Sequence, residues 1–131
     1  MKIVLFTLLC LPLASFAGKA EREYFKNEVQ PAVAKAETAF NKACGCALKI
    51  SVAESDEKHM YQYKHIAESV QNESAGYCTD DASKKAVCKM KSLEINKGTK
   101  TEFTFAGGKG KAITDGQSYV DLNMMTAELD K

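Results

Sequence analysis

Apolar positions in the first part of the chain recur every three or four residues. Phe25, Val29, Val33, Ala36, Phe40 and Ala43 share one face of a helix that this spacing predicts from Lys19 to Ala43, with Lys, Glu and Asn elsewhere. Pro31 falls inside the pattern and removes a backbone donor. It predicts either a kink near Asn27 or a new helical start after Gln30. The many alanines point to close packing against a sheet, and Gly45 suits the left-handed residue that closes a helix. At Cys46 the period changes to two. Cys46, Leu48, Ile50 and Val52 alternate with Ala47, Lys49, Ser51 and Ala53, which predicts a half-buried strand with Cys46 pointing inward. Ser55, Asp56 and Glu57 then open a second helix, from Glu57 to Tyr77, with acids placed to suit its N-terminal dipole. Its apolar face runs Met60, Tyr63, Ala67, Val70, Ser74 and Cys78, and Gly76 weakens the last turn.

Thr79 reads as the N-cap of a short third helix over Asp80 to Val87. From Met90 onward the pattern is β. Leu93 and Ile95 mark one strand and Phe103 and Phe105 the next, joined through Asn96-Lys97-Gly98-Thr99. Gly107-Gly108-Lys109-Gly110 turns the chain, Lys111 to Thr114 is a short strand, and Asp115-Gly116 reads as a hairpin turn into a last strand from Gln117 to Leu122. The tail from Asn123 reads as a final helical turn in preference to an edge strand. The expected fold is α+β: N-terminal helices packed on an antiparallel sheet of about four to five strands, closing in a C-terminal β-meander.

The first residues change the picture of where the protein works. Lys2 precedes an apolar run from Ile3 to Leu13, too short for a membrane span, and Ser15-Phe16-Ala17 supplies small residues for a signal peptidase. Residues 1–17 are therefore expected to be an export signal, with periplasmic localisation and a single mature domain of residues 18–131. Pro12 interrupts the run, which argues against a retained anchor. Leu9 before Cys10 argues against lipid attachment, so membrane insertion is not expected. Loss of this segment leaves 17 Lys+Arg against 17 Asp+Glu. So neutral a chain is a poor partner for nucleic acid or an anionic membrane surface.

Four cysteines remain after cleavage: Cys44, Cys46, Cys78 and Cys88. An even number in an exported chain indicates two structural disulfides, in preference to a redox pair or a metal site. A Cys44–Cys46 bond would close a very tight ring. A Cys78–Cys88 bond would have to span about 15 Å of helix, whereas bridged Cα atoms lie within about 7 Å. Crossed pairing is thus expected. The strand from Cys46 runs roughly 25 Å and the second helix returns about 30 Å, bringing Cys78 beside the strand's start. With Cys46 and Cys78 both assigned to core faces, Cys46–Cys78 with Cys44–Cys88 is slightly favoured over the alternative crossing.

Candidate chemistry is sparse. His59 and His65 have no nucleophile motif beside them and read as surface residues, and Glu54, Asp56 and Glu57 read as a solvated helix start. Gly107 to Lys111 does not fit a phosphate loop, since Ala112 follows Gly110-Lys111 and strands flank it. It reads as a mobile hairpin, or else as a protruding basic loop through which Gly108, Lys109 and Lys111 would enter an acidic cleft. Tyr61, with His65 four residues later, and Tyr119 are the remaining contact candidates, because tyrosines are common interface anchors. No catalytic residue, metal ligand or cofactor site is indicated.

Four segments carry a family resemblance: Ala43-Cys44-Gly45-Cys46, Tyr77-Cys78-Thr79-Asp80, Ser83-Lys84-Lys85-Ala86-Val87-Cys88 and Asp115-Gly116-Gln117-Ser118-Tyr119. Together they resemble small periplasmic immunity proteins that neutralise type VI secretion effectors, particularly those attacking peptidoglycan. The resemblance implies a non-enzymatic protein that binds a toxic hydrolase and blocks its active site, often as a homodimer. It carries no contact residue over to this chain. A small-ligand-binding or envelope-assembly module is the alternative, and it would need an apolar pocket between helices and sheet.

Overall fold

The computed structural model describes residues 18–131, so the expected export signal in residues 1–17 lies outside the described residues. Helix α1 runs from residue 18 to Cys44: residues 18–24 are α-helical, Phe25–Val29 form a π-helical turn, and Gln30–Cys44 return to α-helix. The wide turn lies just ahead of Pro31, where the Gln30 N–H donates to the carbonyl of Phe25, five residues back. The proline is thus absorbed within one continuous helix, with the irregular turn centred on Asn27 and no restart after Gln30. Val29, Ala32, Val33, Ala36, Phe40 and Cys44 are buried. Cys44, not Ala43, continues the buried row after Ala36 and Phe40. Gly45, at φ 68°, closes the helix by donating to Asn41 O at 2.9 Å.

Strand β1 is Lys49–Val52, shorter than the Cys46 to Ala53 alternation predicts, and helix α2 is Glu57–Tyr77, the bounds that periodicity predicts. Helix α3, Asp81–Val87, is capped by Asp80 and not by Thr79: the Asp80 carboxylate accepts from Ser83 N at 2.7 Å. Strands β2 (Ser92–Lys97), β3 (Glu102–Ala106) and β4 (Lys109–Thr114) follow, then helix α4 (Leu122–Leu129). The tail is therefore helical, capped by Asp121 accepting from Met124 N at 2.9 Å.

The fold is α+β, but the sheet is mixed and its order is β1-β2-β4-β3. β1 and β2 run parallel, β2 and β4 run parallel, and only β3 and β4 form an antiparallel pair. Two physical causes displace the expected antiparallel meander. Helix α2 returns the chain to the start of β1, so β2 sets out in the same direction as β1; parallel pairing needs such a crossover. Gly107 and Gly108, at φ 57° and 81°, make a two-residue turn that zips β3 onto β4. β4 then lies between β3 and β2, and the β2–β3 connection crosses its end, where Gly98 N donates to Thr114 O at 3.0 Å. The expected strand from Gln117 to Leu122 does not form.

The helices cover one face of the sheet, with α2 packed along α1 and against β2 and β4, and α4 against β3. Leu48, Leu93, Ile95 and Ala112 meet Tyr63, Ile66, Ala67 and Val70 of α2 in one hydrophobic cluster. Each of the larger aliphatic residues contributes about 1.5–3 kcal/mol by its burial. Lys49, Ser51, Glu94, Thr104, Lys109 and Lys111 occupy exposed positions on the other face. No helix among the described residues is long and apolar enough to cross a membrane.

The disulfides join Cys44 to Cys78 and Cys46 to Cys88, each with Cα atoms 5.2 Å apart. Pairing is crossed, yet it is the other crossing from the one slightly favoured by sequence. Ala36, Phe40 and Cys44 descend the buried face of α1 in steps of four, and Val70, Ser74 and Cys78 descend α2 likewise. The packed helices therefore bring Cys44 to Cys78. Cys46 lies beyond the left-handed turn at Gly45 and before β1 begins, so strand alternation does not fix its direction, and it meets the end of α3 at Cys88.

Candidate functional site

Residues four apart on a helix share a side, and on α2 this places Tyr61 beside His65. Their rings meet edge to face, with centroids 4.8 Å apart and planes at 80°. On its other side His65 stacks on Tyr119, at 5.2 Å and 22°. Both geometries belong to the favourable arrangements of aromatic pairs. His65 Nδ1 also lies 3.7 Å from Glu68 Oε1. Tyr61 remains 54% exposed and Tyr119 41% exposed, so the cluster is braced from within while its outer rings face solvent.

Tyr119 reaches this position from a loop held at both ends. Asp115 Oδ1 accepts from Gln117 N at 2.8 Å, from Ser118 N at 3.1 Å and from the Thr101 hydroxyl at 3.1 Å. The donated backbone hydrogen bonds from Gln117 and Ser118 hold its carboxyl below the usual aspartate range. The Thr114 hydroxyl accepts from Gly116 N and donates to Ser118 O. Gly116 has φ 89°, and a Cβ there would meet Lys58 Cε at 2.9 Å and His59 Nε2 at 3.2 Å. Glycine thus lets the loop press against the first turn of α2, and from the next turn Gln62 Nε2 donates to Gly116 O at 3.5 Å. Beyond Tyr119, Val120 is fully buried and Leu122 N donates to Ser69 Oγ at 2.9 Å. The segment read as a hairpin turn and strand is instead an Asx-type turn: the Asp115 side chain takes the hydrogen bonds that a strand ladder would use.

The helix start beneath this loop is equally ordered. Asp56 Oδ1 accepts from His59 N at 3.0 Å, and His59 Nδ1 lies 2.8 and 2.9 Å from the two Asp56 carboxylate oxygens. The backbone hydrogen bond from His59, then its side-chain bond, lower the Asp56 carboxyl below its usual range. This is capping chemistry, with the imidazole reaching back to the N-cap. A surface depression lined by Glu57, Lys58, Tyr61, Gln62 and Gly116 runs alongside Tyr61, adding charged and amide groups to the aromatic face.

The other sequence candidates lie apart from this cluster. Gly108 is in the β3–β4 turn, and its carbonyl accepts from Lys91 N at 2.8 Å and Ser92 N at 3.2 Å. Those two hydrogen bonds tie the turn to the start of β2. Lys109 and Lys111 occupy exposed positions on β4, on the sheet face away from the helices. Six residues of β4 put Lys109 about 17 Å from its far end, where the Asp115 loop begins. The structure therefore brings together Tyr61, His65 and Tyr119, and leaves Gly108, Lys109 and Lys111 elsewhere. Sequence reading passes over Gln62, Asp115 and the 43% exposed Met124. The Asp115-Gly116-Gln117-Ser118 string holds the signal for Asp115, since aspartate commonly accepts from the N–H two residues on. Among the described residues no group of three or more His, Cys, Asp or Glu side chains is placed to hold a metal ion. No protein-family model, curated protein or solved structure matches the chain.

Proposed function

We propose that this chain is an exported inhibitory binding protein, an immunity protein of the cell envelope that occludes a toxic peptidoglycan hydrolase. The observation that carries the reading is the convergence of Tyr61, His65 and Tyr119 into one exposed aromatic face on a doubly cross-linked scaffold. Large aromatic rings give much contact area for little conformational entropy, and such residues are frequent interface anchors. Here the rings are already braced against one another and against an anchored loop, so little ordering cost remains to be met on binding. Glu57, Lys58, Gln62 and Glu68 surround the aromatic face and supply a polar rim. The partner's cleft would be filled by Tyr61 and Tyr119, with the rim matching its charged edge.

The test is capture from an envelope extract by the mature, oxidised protein. Recovery of a peptidoglycan hydrolase whose activity falls on binding supports the reading, provided Tyr61→Ala with Tyr119→Ala abolishes recovery and leaves both disulfides intact. Co-purification of a small molecule with no protein partner defeats it and favours the ligand-binding alternative.

A further inference from the structure

The two edges of the sheet are treated differently, and the difference identifies a second surface. At the β1 edge, side chains from α1 stand in for a neighbouring strand. Asn41 Oδ1 accepts from Leu48 N at 2.7 Å while Asn41 Nδ2 donates to Leu48 O at 3.0 Å. Glu37, one helical turn earlier, accepts from Ile50 N at 2.9 Å and pairs with Lys49 at 3.6 Å. That edge is blocked against strand addition, as exposed edges generally are.

Helix α4 packs against β3, yet among the described residues no side chain hydrogen-bonds to the outer main chain of that strand. Ala106 and Lys109 flank the two-residue turn and exchange both main-chain bonds, and alternation along the ladder assigns the same role to Thr104 and Glu102. The N–H and C=O groups of Phe103 and Phe105 therefore point away from β4, and among the described residues no backbone hydrogen bond outside the ladder reaches them. Groups without a protein partner must face water. Both phenylalanines are only half-buried, and β3 contains neither proline nor a bulge.

We infer that a second copy of this chain pairs with this edge, β3 to β3 in antiparallel register about a two-fold axis at Thr104. The register follows from the free groups. It sets Phe103 opposite the partner's Phe105, so that the outward N–H and C=O groups meet donor to acceptor on both sides of the axis. It also sets each Glu102 opposite the partner's Ala106, with the partner's Lys109 one strand further in the same row. Two strand spacings are about 9.6 Å, a gap that a glutamate and a lysine span across a small alanine. Lys109 has no ion-pair partner within its own chain among the described residues, whereas Glu102 already lies 3.3 Å from Lys100, so the partner's Lys109 would be its second cation. The contact thus matches charge as well as backbone. A five-residue edge is smaller than the roughly 1,200–2,000 Å² of a standard interface, so the dimer exchanges with monomer as concentration falls. This inference does not rest on the inhibitor reading, and it leaves the aromatic face on α2 free for a different partner.

Sedimentation across a concentration series, together with disulfide trapping, tests it. Residues opposed at a non-hydrogen-bonded position have Cα atoms about 4.5 Å apart, within disulfide range, so Thr104→Cys should cross-link two copies. Ser51→Cys, on the blocked β1 edge, is the control, and non-reducing peptide maps verify the native bridges in both. Glu102→Lys should weaken the dimer about tenfold by facing lysine with lysine, and Glu102→Lys with Lys109→Glu should restore it. A chain that stays monomeric at every concentration overturns the inference. So does Thr104→Cys cross-linking no faster than Ser51→Cys, or a double charge reversal that fails to recover what the single reversal lost.

Discussion

The Tyr77 hydroxyl donates to both carboxylate oxygens of Asp130, at 2.9 and 3.1 Å, tying the last turn of α2 to the end of α4. Burial first, then the hydrogen bond to Asp130, push the Tyr77 phenol up from 10.0 to about 12. A phenol with a raised pKa in the folded state favours folding while it stays protonated. That stabilisation is complete below about pH 10 and is lost as pH climbs through about 12. Burial also raises the phenols of Tyr24 and Tyr63, so tyrosinate difference absorbance should show three phenols ionising later than an exposed tyrosine. Asp130→Asn should bring that of Tyr77 partway back and leave the burial contribution in place. Tyr77→Phe should remove one of the late phenols and leave those of Tyr24 and Tyr63; a variant in which the late-ionising amplitude is undiminished refutes the assignment.

The two disulfides should differ in worth although their loops are similar. Sequence separations of 34 and 42 give about 4 kcal/mol each by loop-closure entropy. Burial separates them: Cys44 is 2% exposed, whereas Cys46 is half-buried. Cys44→Ala with Cys78→Ala should therefore cost about 1 kcal/mol more than Cys46→Ala with Cys88→Ala, because truncation leaves a void between α1 and α2. Urea unfolding of the two double variants measures this. Either loss is a large share of the 5–15 kcal/mol typical of a domain of this size.

Helix α1 and helix α2, the helix that carries Tyr61 and His65, are legible in sequence, because their apolar rows are long and α2 opens on strong capping residues. Errors enter where one local step decides a tertiary outcome. In the last turn of α1, a step of three from Phe40 gives Ala43 and a step of four gives Cys44. The exchanged disulfide partners follow from placing Cys46 on a core face by an alternation that begins only at Lys49. Strand order depends on connections that no local pattern records. The return path along α2 does dictate parallel β1 and β2, a consequence the antiparallel expectation overlooks. Asp-Gly serves a hairpin and an Asx turn equally well, and the choice at Asp115-Gly116 is made by Thr101, which comes from the start of β3. Tyr61 and His65 are neighbours by helical spacing alone. That Tyr119 completes their cluster follows only from the folded loop.

Asn41 is predicted to guard the β1 edge. Asn41→Ala removes both hydrogen bonds to Leu48 and should destabilise the protein by about 1–3 kcal/mol, since it strands main-chain groups in a part-buried place. The bared edge should also raise self-association, at a surface distinct from β3. Thermal melts give the first effect. Light scattering of the variant in a Glu102→Lys background gives the second, and a variant no more associative than its parent there refutes edge blocking.

The Asp115 turn is predicted to govern binding through Tyr119 without touching the partner. Asp115→Ala removes the acceptor for Gln117 N, Ser118 N and Thr101, freeing the loop that presents the ring. Capture of the envelope partner should weaken about tenfold, most of it as faster dissociation, because preorganisation is lost and the contact residues remain. Tyr119→Ala should weaken it by about thirtyfold or more, as expected for an aromatic anchor. Asp115 is held below the usual aspartate range, so its folded-state stabilisation is present above about pH 4 and fades as acid titrates it through that depressed value. Wild-type binding should therefore fall in acid toward that of Asp115→Ala, while the variant shows no matching transition. Dissociation rates across an acidic pH series decide the point. If Asp115→Ala binds like wild type at neutral pH, the loop is not the element that places Tyr119 for its partner.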